Sequence, residues 1–570
     1  MLGARPSVPT YDVVVIGGAL SGASTAILLL EESPALKVLI VEKSVAFSRR
    51  VGEATIEVST YFLRNCLGLS QHLHQEHLVK NGLRFWFSRE NTSTLGECSE
   101  IGGRYLSRLP AYLVDRAVMD EAALKRAMTL GAKVLRPATV HEVQLQEGGI
   151  QSLTVRCGDG HETISARWVV DASGFAASLA RKNGWWQSNP SHPTTAVWAR
   201  WTGVKDFDAP EVRRRFPECA KRCHGIRNSA TNHLTGDGWW AWWIPLKNGD
   251  VSIGVVFDER FVQWPEEGSL GERLKRFLLA HPVAKELMSE AKWREGDVHW
   301  RKHLPYCSSK FFGDGFALVG DAAAFLDPLY SPGMDWIAYT TTAAAKLVLT
   351  QQNGKPVSPL VEQLNGDFTR SYRRWFDAIY RDKYAYIGEF DLMKLAFVMD
   401  VGLYYLGVAS QPFFRGPTAL CEPYFSTTPS TPFFYWMRAY NRRFASIACA
   451  RRHRGVLGRS NEGKFLLVKG FAFEPGSVWA VTKAASRWIC LEFTEGWRTW
   501  FRSVSLSKHG PLVVGQKRPP KLTENESDEK SRHLVVGNRT TPQCSAAVSE
   551  QIPSPKVSNS DDGRDLLAMD

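Results

Sequence analysis

Residues 11–44 read YDVVVIGGALSGASTAILLLEESPALKVLIVEKS. Val13–Ile16 is a short unbroken apolar run, as in a strand buried on both faces, and Val38–Val41 is a second. Between them lie a glycine turn, Gly17–Gly22, and a stretch whose spacing predicts a helix over Ser24–Glu32. This is a βαβ unit with a dinucleotide fingerprint. Gly17 and Gly22 hold the first and third glycine places, Ala19 takes the second, and Ser21 lies on the same turn. Gly17 permits the turn, Gly22 lets helix and strand approach, and the helix N-terminus faces a pyrophosphate. Glu42 follows Gly22 by twenty residues at the tip of the second strand, where a carboxylate accepts hydrogen bonds from ribose hydroxyls.

Two later stretches repeat the strand-and-turn pattern. WVVDASGF (168–175) is a strand ending at Asp171, Ser173 and Gly174. FALVGDAAAFLDP (316–328) reads as a strand, then Gly320-Asp321, then the start of a helix whose N-terminus again points at anionic groups. Asp321 suits that helix as an N-cap, as a ligand to the bound molecule, or as both. Between about 190 and 310, WARWTGV, GWWAWWIPLKNGDVSIGVVF and VHWRKHLP predict a sheet covering the substrate. The pattern turns helical from about 340. Residues 502–570 contain no Phe, Tyr or Trp, which predicts a disordered tail. The expected α/β fold has a discontinuous nucleotide-binding domain (1–190 and 310–350), an inserted β-sheet region (191–309), a helical region (351–501) and the tail.

The 570 residues are 44% hydrophobic and 22% charged, as in a soluble globular protein. Of twenty Trp, one group holds Trp185, Trp186, Trp198 and Trp201, and another Trp239, Trp240, Trp242 and Trp243. These serve either packing or a pocket for a planar ligand. The net charge of +12 includes Arg213–Arg215, Arg373-Arg374 and the run from Arg451 to Arg454. A solvated face is the default reading, and docking to an acidic carrier protein is another. No nucleic-acid-reading module accompanies the charge. Ten Cys without CxxC pairs, and no signal peptide, read as reduced thiols in a cytoplasmic protein; Cys219 and Cys223-His224 are too sparse for a zinc site. Residues 392–413 are apolar but interrupted by Lys394, Asp400 and Gln411-Pro412, which predicts a greasy helix at a tunnel, an interface or a membrane surface rather than a transmembrane span.

With the N-terminal fingerprint, the two later turns resemble the flavoprotein monooxygenase group. Four shorter segments narrow the likeness to the flavin-dependent halogenases, over roughly residues 11–400: WAWWIP (240–245), VGEAT (51–55), YLVDRAVMD (112–120) and KNGLRF (80–85). The resemblance implies FAD as cofactor, held by the fingerprint residues with Glu53, Arg116, Asp171 and Asp321, the last accepting hydrogen bonds from the ribityl chain. It implies that reduced flavin and oxygen turn halide into hypohalous acid, that Lys80 is the essential lysine directing this oxidant, and that Trp240 and Trp242 wall the flavin from the substrate. DPLYSPGMD (327–335) is similar to the family's flavin-side turn, placing Pro328 and Gly333 beside the ring and a halide at Gly333.

Two departures bear on the substrate. Tyr330 stands where tryptophan halogenases carry a glutamate, and is here a candidate catalytic residue; the resemblance then implies an electron-rich phenol or pyrrole rather than free tryptophan. Pro332 has no N–H, leaving Gly333 as the turn's donor to halide. Loss of one charge-assisted hydrogen bond costs about 1.5–3 kcal/mol. The alternatives are a halogenase-shaped monooxygenase or dehydrogenase that does without halide, and a flavin-binding protein without catalysis. No NADPH site is evident, which implies a separate flavin reductase; the substrate is free or held on an acyl or peptidyl carrier protein.

Overall fold

The computed structural model describes residues 10–223, 225–470 and 474–500 and the backbone of 512–513. Of the expected tail only Leu512–Val513 is described, as a short strand beside Val262–Gln263; the rest of 502–570 lies outside the described residues.

The opening stretch folds as β1 (Tyr11–Ile16), α1 (Leu20–Glu32) and β2 (Val38–Val41). Val13, Val14 and Val15 are wholly buried, because β1 lies at the centre of the parallel part of a mixed sheet. From one edge that sheet runs Phe312–Gly313, Phe316–Leu318, Gly160–Asp171, β1, β2 and Lys133–Leu135. Its register aligns Ile16 with Val41 and with Asp171, and Asp171 with Leu318, so the turns after four strands open on one crest. Ligands of open α/β sheets bind at this carboxyl end.

A second, eight-stranded sheet runs Lys292–Arg301, Thr194–Thr202, Val251–Asp258, Trp239–Pro245, Thr231–Gly236, Leu83–Phe87, Ser99–Gly103 and Phe465–Val468. It therefore reaches beyond the expected 191–309 region. Leu83–Phe87 pairs parallel with Thr231–Gly236, and Phe465–Val468 closes the far edge on Ser99–Gly103. Val251–Asp258 is buried along its whole length, so both faces of the sheet are covered there. Trp201 and Trp243 are core residues, whereas Trp198, Trp240 and Trp242 line a cleft. Both readings of the Trp clusters hold, for different residues.

The helical half contains α2 (Gly333–Gln352), which packs along α1, then Ser358–Trp375, α3 (Phe390–Tyr404) and α4 (Thr431–His453). The run Phe390–Arg415, with α3 as its first part, is long and apolar enough to cross a membrane by length and composition, contrary to the expectation for 392–413. Its most apolar window is 67% buried inside the fold, and α3 forms one wall of a cavity, which fits the expected greasy helix at a tunnel. The basic run at the end of α4 is not a solvated face. Arg451 is buried between Glu389 (2.8 Å) and Glu495 (2.7 Å), and Arg452 pairs with Asp237. Arg213–Arg215 are exposed. The nine described cysteines are all unpaired.

Candidate active site

The crest is built by close backbone approach. Gly17 has φ +102°, and a Cβ there would stand 2.6 Å from the Ala172 carbonyl oxygen; a Cβ at Gly22 would stand 1.9 Å from the Gly17 carbonyl oxygen. Neither position admits a side chain. Ala19 is the extended residue that starts α1, and Ser21 lies under the second phosphate-type turn, since a Cβ at Gly320 would come within 2.4 Å of Ser21 Oγ. The N-terminal fingerprint and the turn at 320 are thus in contact, although three hundred residues separate them. Buried Glu42 accepts the Gly18 N–H at 2.7 Å and the Ser44 N–H at 2.8 Å, which fixes the glycine turn at the tip of β2.

One expectation fails here, and a second acid is engaged in its own turn, as Glu42 is. Asp171 does not face the cleft: its two oxygens accept the backbone N–H groups of Ser173 (2.9 Å) and Leu179 (2.7 Å), so the carboxylate is used in closing its own turn. No helix follows Gly320-Asp321 directly. A single 3₁₀ turn, Gly320–Ala322, gives way to a short strand, and α2 begins only at Gly333. The Asp327-Pro328 and Ser331-Pro332 steps disfavour helical backbone before each proline. Asp321 caps nothing; it lines the cleft, where burial lifts its carboxyl to about 6 against the pull of Arg116 and Arg301.

Glu53, Arg116, Asp321, Pro328, Gly333, Trp240 and Trp242 line this one cleft. Buried Glu53 accepts Arg200 Nη2 at 2.7 Å, and burial raises its carboxyl to about 7 with Arg200 opposing. Arg116 forks onto Asp120 and the Val51 carbonyl oxygen. On the sheet side, His233 stacks on Phe85 with centroids 4.4 Å apart, and burial holds the imidazole down at about 3. Trp240 Nε1 donates to the Tyr384 hydroxyl (2.9 Å), which donates to Asp327 (2.9 Å). Asp327 in turn accepts the Leu329 N–H. The indole wall and the 327–335 turn are thereby locked together.

A second cavity adjoins the cleft at Pro332. Lys80 opens into it, with Leu83, Phe397, Val401 and Tyr404 as apolar lining. The lysine follows a two-residue strand paired with Tyr112–Leu113, and its backbone N–H donates to Ala111. Its ammonium is buried and donates to the Thr55 carbonyl oxygen at 2.8 Å. Burial drags it down to about 8, opposed by Glu57 and Asp335. Burial likewise raises Asp335 to about 7, while the Tyr424 hydroxyl and the Ser59 backbone N–H hydrogen-bond it.

Pro332 lines both cavities; Ser331 and Gly333 face the cleft and Tyr330 the Lys80 side. Pro332 is therefore a partition. It also precedes α2, whose first N–H groups have no partner within the helix. Gly333 and Met334 both line the cleft there.

The cleft fits FAD on its own features: a twenty-residue helix starting at its floor, flat indoles along one side, and the buried Thr231 Oγ1 and Trp336 Nε1, which line it without a protein partner. Residues 10–350 match the model of the FAD binding domain. The chain belongs to the FAD-binding domain family. This member is 27% identical over 364 residues to the flavin-dependent halogenase chlA of Dictyostelium discoideum, covering 58% of each chain. It is 24% identical over 402 residues to the 1H-pyrrole-2-carbonyl-[peptidyl-carrier protein] chlorinase of Pseudomonas fluorescens, covering 65% of this chain and 82% of that one. The crystal structure of halogenase PltM with phloroglucinol and FAD shares the fold at TM-score 0.63 and 19% identity, over 84% of this chain and 96% of that chain.

Sequence reasoning missed Arg200, His233, Asp327, Tyr384, Lys383 and Asp400. Asp327 opens the 327–335 turn without having been singled out; the others stand outside a recognisable motif, and only pairing across sheets or helices brings them to the site. The interruption of an apolar stretch by Asp400 was the one available signal.

Proposed function

We propose that this FAD-binding protein is a halogenase of electron-rich aromatic rings, of the phenol or pyrrole type. The observation carrying this reading is a buried lysine in a largely apolar cavity that meets the cofactor cleft at Pro332, while Trp240 and Trp242 line the cleft itself. FAD, when bound and reduced, supplies with oxygen and halide a hypohalous acid. The chain's own residues then confine and aim it. Gly333 and Met334 at the start of α2 offer N–H groups to the halide. Trp240 and Trp242 exclude the substrate from the cleft. Lys80, with its proton loosened by burial, donates a hydrogen bond to the oxidant or reacts with it as the amine.

Glu42 and the crest glycines hold the adenosine and pyrophosphate end, with Glu53, Arg116 and Asp321 nearer the ring. The pyrrole chlorinase acts on a peptidyl-carrier-bound substrate, and that similarity supports a carrier-bound aromatic here. Reduced flavin comes from a separate reductase. The test is turnover with FAD, an added flavin reductase, NADH, oxygen and bromide against phenols and pyrroles. We expect a product heavier by one bromine in place of hydrogen, abolished by Lys80→Ala. A product gaining oxygen irrespective of halide, or none, overturns the reading.

A further inference from the structure

The cavity beside Lys80 has one polar corner that the proposed chemistry leaves without a role. Tyr330 and Asp400 line it, and the Tyr330 hydroxyl donates to Asp400 Oδ2 at 3.0 Å. The same oxygen accepts Lys383 Nζ at 2.7 Å, and Oδ1 accepts the Tyr440 hydroxyl at 2.6 Å and Asn441 Nδ2 at 3.4 Å. Four donors meet one carboxylate, which fills about four acceptor positions. Lys383 and Tyr440 are fully buried, and Lys383 is tied a second time to Asn441 Oδ1 at 2.9 Å.

A buried ion pair of this kind gives little net stability compared with apolar packing. Its evident effect is on Tyr330. The tyrosine sits on left-handed backbone (φ +68°), as does Ser331 (φ +59°), a costly conformation for non-glycine residues and one found at sites of function. With its proton committed to Asp400, the Tyr330 oxygen can only accept from whatever enters the cavity.

We propose that Tyr330, held by the Asp400–Lys383 pair, reads a hydrogen-bond donor on the substrate ring, the hydroxyl of a phenol rather than an ether. The inference rests on the halogenase reading for its biological meaning and on the corner's geometry for its binding prediction. A ring hydroxyl that donates to Tyr330 gains electron density on oxygen and passes it to the ortho and para carbons, so no carboxylate base is needed at position 330. Asp400 and Lys383 are positioning residues. A ligand without the donor leaves the acceptor position of the Tyr330 oxygen unfilled and out of reach of water, the mismatch by which polar sites reject analogues.

The test is calorimetric titration of FAD-loaded protein with 2-naphthol and with 2-methoxynaphthalene, which differ by the donor. Wild type should bind the naphthol about tenfold or more tighter, and Tyr330→Phe should bring the ratio below about threefold by weakening the naphthol alone. Asp400→Asn, the second variant, should also lower the ratio with FAD retained. A wild-type ratio under tenfold (including no binding of either), or a ratio that survives Tyr330→Phe, overturns the proposal. Neither halide nor oxygen enters this measurement, so a failure to halogenate would leave it standing. Conversely, Lys80→Ala should abolish halogenation and preserve the ratio.

Discussion

Arg200 clasps Glu53 with two hydrogen bonds, Nε at 3.0 Å and Nη2 at 2.7 Å, joining the second sheet to a segment that lines the cofactor cleft. The same guanidinium reaches Asp115, the N-cap of the helix that begins at Arg116. Both Arg200 and Glu53 are buried, so removing the arginine strands a carboxylate away from water. Arg200→Met should destabilise the protein by about 3 kcal/mol, with Arg200→Met/Glu53→Gln recovering part of it. Urea unfolding of the three proteins checks this; a double variant no better than the single removes Glu53 as the cause.

Lys80 links stability to pH. Its folded-state value of about 8 lies below the ordinary lysine value of 10.5, because burial disfavours the ammonium. Below pH 8 the folded state holds a charge it would rather shed, and between 8 and 10.5 the unfolded state binds the extra proton. Wild-type stability therefore rises across that window, and Lys80→Met, which cannot titrate, lacks the rise. Wild-type stability minus that of the variant should rise by about 3 kcal/mol from pH 7 to 10.5, whatever constant offset follows from losing the bond to Thr55. Parallel slopes over that window would contradict the burial of this lysine.

Pro332→Thr restores an N–H at the position before α2 while φ, at −76°, suits either residue. One added charge-assisted bond should lower the bromide KM about tenfold, with FAD affinity unchanged. Steady-state kinetics at varied bromide measure it. A KM that does not move would place the halide elsewhere.

Gly22→Ala puts a methyl 1.9 Å from the Gly17 carbonyl oxygen. α1 must retreat from β1, and its N-terminus leaves the crest. The folded variant should purify without yellow colour and bind added FAD at least about tenfold more weakly. Retained flavin absorbance at wild-type stoichiometry would show that the crest does not hold the pyrophosphate.

The βαβ unit was legible because its signals are local: two apolar runs, glycines at fixed spacing, and an acid at a strand tip. Lys80, Trp240 and the 327–335 turn were legible for the same reason. Asp171 misled, because an aspartate ending a strand closes its own turn as readily as it meets a ligand. Asp321 lines the cleft but does not start a helix, since two later prolines delay α2 to Gly333. The run at Arg451 read as a solvated face because composition does not reveal buried partners, here Glu389 and Glu495.

Local spacing by itself determined that a glycine turn, a second Gly-Asp turn and a lysine segment exist, since each is written in a few consecutive residues with one conformational solution. Only the folded chain decided that Gly320 rests on Ser21, that Pro332 divides two cavities, and that Lys383 and Asp400 meet behind Tyr330. Those meetings join residues far apart in the chain, and what selects them is sheet register and helix packing, to which every buried side chain contributes at once.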